Sequence, residues 1–73
     1  MKEIKYVEIE FEDEYSICIK ATRIPTVDEA EEFCKADMKV LGVSSVVDII
    51  ECPKEEAYKL FDMTREDDFP VFE

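Results

Sequence analysis

The sequence predicts an α+β fold in the order β-β-α-β-α, with a three-stranded, mainly antiparallel sheet (strand order 2-1-3), two helices on one face and an apolar C-terminal tail. Three observations lead there. Two runs within the first 24 residues alternate apolar and polar side chains. Thr26 to Gly42 carries an apolar stripe at helical spacing between a start and a stop signal. A β-branched run, Val46-Val47-Asp48-Ile49-Ile50, is followed by Pro53 and a second helical pattern. At 73 residues the chain reads as one domain, 1–73. A domain of this size buries roughly 60% of its unfolded surface, which leaves little room for a deep pocket.

In the first run Val7, Ile9 and Phe11 share one face, and Ile4, Tyr6, Glu8, Glu10 and Glu12 the other. The second run, Tyr15 to Ile24, sets Tyr15, Ile17, Ile19 and Ala21 on one face. Pairing the runs around Glu12-Asp13-Glu14 matches these faces, with Phe11 opposite Tyr15, Ile9 opposite Ile17 and Val7 opposite Ile19. The loop lacks the Gly or Asn that a left-handed position favours.

Pro25 holds Ile24 in extended backbone and ends the second strand. Thr26 then caps a helix, and Glu29 three residues on completes a capping box. Gly42 supplies the left-handed stop. At about 100° per residue, Val27, Ala30, Phe33, Cys34, Met38, Val40 and Leu41 fall on one arc. Asp37 projects within that arc and is an anomalous carboxylate.

The third strand carries apolar residues on both parities, which predicts cover on both faces. Pro53, with Glu55 and Glu56 in the first turn, opens a second helix carrying Ala57, Tyr58, Leu60 and Phe61 and ending near Asp62 or Met63. After a polar stretch, Phe69, Val71 and Phe72 are candidate tail contacts, because a solvated terminus is seldom so apolar. Setting the third strand beside the first avoids a parallel pair and gives the order 2-1-3. Both helices then cover the Val7/Ile9/Phe11 face, and the tail or a second subunit covers the apolar end of the other.

Twenty acidic residues against nine basic ones give a net charge of −11. That excludes direct nucleic-acid binding and attachment to anionic membranes, and it permits a basic protein partner. No apolar run approaches the roughly 18 residues of a membrane span. The N-terminal stretch lacks the apolar segment of a secretory signal. Cys18, Cys34 and Cys52 form no CxxC pair, so free thiols in a reducing cytoplasm are expected.

The same residues argue against chemistry. Without histidine, no Cys–His nucleophile forms, although Cys52 stands at a helix start, a position that lowers thiol pKa. No zinc cluster, calcium loop or glycine-rich phosphate loop is present, so no cofactor, metal or catalytic residue is assigned and no enzyme is expected. The candidate interaction surface is the acidic row Glu8, Glu10 and Glu12, continued by Asp13 and Glu14. Alternate strand residues lie about 6.7 Å apart, so the row has roughly a quarter of the charge density of duplex DNA. Mimicry of a phosphate backbone would need acids of the helix (Asp28, Glu31, Glu32) and of the tail (Glu66, Asp67, Asp68) on the same surface.

Pro25-Thr26 leading into Glu29-Ala30-Glu31-Glu32-Phe33, and Asp62-Met63 followed by Phe69-Pro70-Val71-Phe72, resemble stretches of small uncharacterised proteins encoded on phage or conjugative mobile elements of Gram-positive (Firmicutes) gut bacteria. The resemblance covers about a third of the chain and implies an accessory protein of such an element, without fold or activity. The expected function is a small acidic cytoplasmic binding protein, a mobile-element accessory or inhibitor that docks on a basic, nucleic-acid-handling protein. The alternative is a structural module that homodimerises through a sheet edge, the open sheet face or the C-terminal tail.

Overall fold

A computed structural model describes residues 3–60 and 69–72 of the chain. Among these residues the fold is α+β, with three α-helices and a mixed four-stranded sheet in the order β3-β1-β2-β4. The elements are β1 (Lys5–Phe11), β2 (Ser16–Ala21), α1 (Val27–Phe33), α2 (Lys35–Leu41), β3 (Val46–Cys52), α3 (Lys54–Leu60) and β4 (Val71–Phe72).

The hairpin forms in the expected register, with Val7 opposite Ile19 and Ile9 opposite Ile17, and Phe11 N–H donates to Tyr15 C=O at 2.7 Å. Its loop is a short 3-10 turn over Glu12–Glu14. Asp13 (φ 62°) and Glu14 (φ 66°) are both left-handed, a conformation that costs a side-chain-bearing residue about 1 kcal/mol or more. The turn is held from outside. Glu12 N–H donates to Ser45 C=O at 3.3 Å, and the Glu12 carboxylate accepts from Ser44 N–H.

The first three strands take the expected 2-1-3 order, and β3 pairs antiparallel with β1. The sheet departs from the expectation at its other edge. β4 pairs parallel with β2, Val71 beside Lys20 and Phe72 beside Ala21, so the sheet is mixed and has a fourth strand. Two backbone bonds, Lys20 N–H to Pro70 C=O at 2.8 Å and Thr22 N–H to Phe72 C=O at 3.2 Å, tie the tail to β2.

The single long helix also needs correction. It divides at Cys34, whose backbone (φ −96°, ψ 13°) leaves the helical well and separates α1 from α2. In α2 Asp37 is exposed and lies outside the apolar face, and Val40 is 86% exposed. Both ends hold as expected: Thr26 and Glu29 form the capping box, and Gly42 (φ 76°) is left-handed.

The helices do not share one face. Ala30, Cys34 and Met38 of the first pair pack with Val7, Ile9, Phe11 and Ile19. Ala57 of α3 packs on the opposite face with Tyr6, Cys18, Cys52 and Phe69. Among the described residues, the sheet is thus covered on both faces at one end and on one face at the other. β3 is an edge strand and is not covered on both faces. A register shift after Glu10 leaves Val47 as the extra residue of a bulge, 59% exposed, and Ile50 is 39% exposed. Phe61, the expected helix end at Asp62 or Met63, and Glu66 to Asp68 lie outside the described residues.

Candidate functional site

The face of the sheet that α3 partly covers carries, from one end to the other, three cross-strand rows. Tyr6 lies between Lys20 and Cys52, Glu8 between Cys18 and Ile50, and Glu10 between Ser16 and Asp48. Tyr6, Cys18 and Cys52 lie under α3 and Phe69. Beyond them no described element covers the face, and it is acidic. Glu8 and Glu10 are half-buried, and Asp48 is exposed. Glu8, Glu10 and Glu14 line a shallow groove of about 250 Å³ with Phe11, Tyr15 and Ser16.

Glu10 stands directly across from Asp48, an arrangement of like charges that destabilises a sheet. The ion pairs among the described residues are Lys5–Glu51 at 3.7 Å and Arg23–Glu29, and neither involves these acids. Asp48 Oδ1 accepts from the next backbone N–H, Ile49, at 2.8 Å.

The candidate surface is therefore reassembled. Glu8, Glu10 and Glu14 converge on the groove, and Asp48 joins Glu10 across the strands. Glu12 is spent on the Ser44 backbone, and the exposed Asp13 is absent from the groove lining. Asp48 was hidden at the level of sequence. Its place beside Glu10 depends on the β1–β3 register, and the bulge at Val47 shifts that register.

The other candidates are structural. Phe69 is buried against the rings of Tyr6 and Tyr58 (centroids 5.3 and 5.1 Å away), and Phe72 meets Phe33 edge-on at 5.4 Å. Of the three tail residues Val71 is the exposed one. All three thiols are free and buried. Burial, reinforced by the adjacent Cys52, pushes the Cys18 thiol up to about 12. Burial, with Asp37 nearby, pushes Cys34 to about 11, and burial also raises Cys52. At Cys52 burial outweighs the helix start, and the thiol is packed and not activated. No group of three or more Cys, Asp or Glu among the described residues is placed to hold a metal ion. None of the described helices is long and apolar enough to cross a membrane.

Compared with protein-family models, curated proteins and solved structures, the chain finds no match.

Proposed function

We propose that this protein is a small acidic binding module that docks on a basic surface of another protein through the bare half of its sheet. The observation that supports this is the convergence of Glu8, Glu10 and Glu14 with Asp48 on one open patch, Glu10 facing Asp48 with no cation paired to either among the described residues. The fold bears the cost of that opposition, and a cationic partner would relieve it. The net charge of −11 makes a basic surface on a nucleic-acid-handling protein the natural partner, with the cytoplasm as its setting, and the resemblance to mobile-element proteins adds an accessory role. Docking through the tail is set aside, because Phe69 and Phe72 pack within their own chain.

Two triple variants test the proposal. Glu8→Gln/Glu10→Gln/Asp48→Asn neutralises the patch. Asp28→Asn/Glu32→Gln/Glu55→Gln neutralises exposed helix acids, and each takes the net charge from −11 to −8. Binding of a lysine-rich peptide is measured by anisotropy at low salt and at about 0.15 M salt. The patch variant is expected to bind about tenfold more weakly, the helix variant like the parent, and the parent to weaken as salt rises. Equal losses in both variants would reduce the effect to net charge and overturn the assignment of the patch.

A further inference from the structure

We infer that the docking line is the outer edge of β3, and that its occupant is an extended, basic segment of the partner that joins the sheet as an added strand. This rests on the reading above and names the partner's chemistry.

The β2 side of the sheet is closed by β4, whereas no described strand pairs with the outer side of β3. The bond from Glu12 N–H to Ser45 C=O shows that the even-numbered residues of β1 direct their backbone groups toward β3. By register, Asp48, Ile50 and Cys52 then pair inward, and Ile49 and Glu51 turn their N–H and C=O groups outward. Two N–H groups along this edge are met by carboxylates. Glu31 accepts from Val46 N–H at 3.1 Å, and Asp48 accepts from Ile49 N–H at 2.8 Å. Asp48 supplies the oxygen that a neighbouring strand's carbonyl supplies in a sheet. When a strand arrives, that carbonyl takes over the Ile49 N–H and the Asp48 carboxylate is released to a cation.

The side chains specify the arriving segment. Along the edge the order is Asp48, Ile49, Ile50, Glu51, with Ile50 39% exposed and both acids exposed. Asp48 shares its face with Glu10, one strand further in. The complement is a basic–apolar–apolar run that places a cation beside Asp48 and an aliphatic side chain beside each isoleucine; Glu51, on the other face and 3.7 Å from Lys5, can share a further cation at the end of the run. A second copy of this chain is a poor occupant, because it brings the same acids and a further charge of −11 to the edge.

The probe is a short peptide built on Lys-Val-Val-Lys, compared with a copy N-methylated on alternate amides, which keeps the charge and blocks strand addition. The parent peptide is expected to bind at least about tenfold more tightly than its methylated copy. Glu51→Pro removes an outward N–H that the β1 ladder does not use, a place where an edge strand tolerates proline. It is expected to lower binding of the parent peptide about tenfold, and Glu51→Gln, which keeps the N–H but removes the charge and with it the Lys5 pair, about two- to threefold. Hydrogen exchange in the unmutated protein is a readout independent of that variant's folding, and the amides of Ile49 and Glu51 should slow when the parent peptide binds. Equal, salt-sensitive binding of both peptides would overturn strand addition and leave the acidic patch standing. Binding of neither peptide at low salt would remove both. A peptide-independent dimer with Ile49 and Glu51 protected would make the occupant a second copy.

Discussion

The Glu29 carboxylate accepts from the Thr26 N–H at 2.9 Å and meets the Arg23 guanidinium with both oxygens, while the guanidinium lies 5.1 Å from the Phe72 ring centre. One side chain thus joins the helix start, the end of β2 and the C-terminal strand. Arg23, and after it the Thr26 backbone, hold this carboxyl at about 2, below its ordinary 4.5. A depressed carboxyl pKa adds stability that is complete above about pH 4.5 and is lost as pH falls toward about 2. Urea midpoints measured across that window should fall with pH, and Glu29→Gln should flatten the fall. Gly42 offers a second test. Its φ is 76°, and an added Cβ would meet nothing within 4 Å, so Gly42→Ala isolates the backbone cost, about 1 kcal/mol by chemical denaturation. Both sites were legible because a capping box and a stop glycine are local signals. An unbroken helical wheel sets Asp37 within the apolar arc, and no residue type announces either its exposure or the break at Cys34.

Among the elements, those governed by alternation were legible in register, and those governed by neighbours were not. The hairpin follows from matching Val7, Ile9 and Phe11 to Ile19, Ile17 and Tyr15. β3 was read as doubly covered because a run of valines and isoleucines suits a buried strand equally well. Its edge position follows from the 2-1-3 order, but what covers its faces is set by its neighbours. The face chosen by α3 was also hidden, because short helices after an edge strand can fold to either side, and Tyr6 and Phe69 decide it. The aromatic contacts of Phe69 are the anchor of that layer. Phe69→Ala should cost about 3 kcal/mol in a denaturation series, whereas Val71→Ala, two residues on and exposed, should stay within about 0.5 kcal/mol. Equal losses would mean that β4, and not the aromatic cluster, holds the tail.

At the scale of the molecule, the α+β class and the inner strand order could be read from periodicity, and the acidic character from composition. The gathering of acids on one surface could not, since it needs β3 in register with β1 and the turn folded beside them. The two-sided packing has a further use. One side of the sheet contains Cys34, and the other contains Cys18 and Cys52, all three buried. These thiols are native clocks for opening, since an alkylating reagent reaches each sulfur only when its own layer lifts away. In a time course followed by mass spectrometry, Cys18 and Cys52 should label together and ahead of Cys34. Among the described residues, their cover is α3 and Phe69. Labelling of all three at one rate would show that the layers open as one cooperative unit.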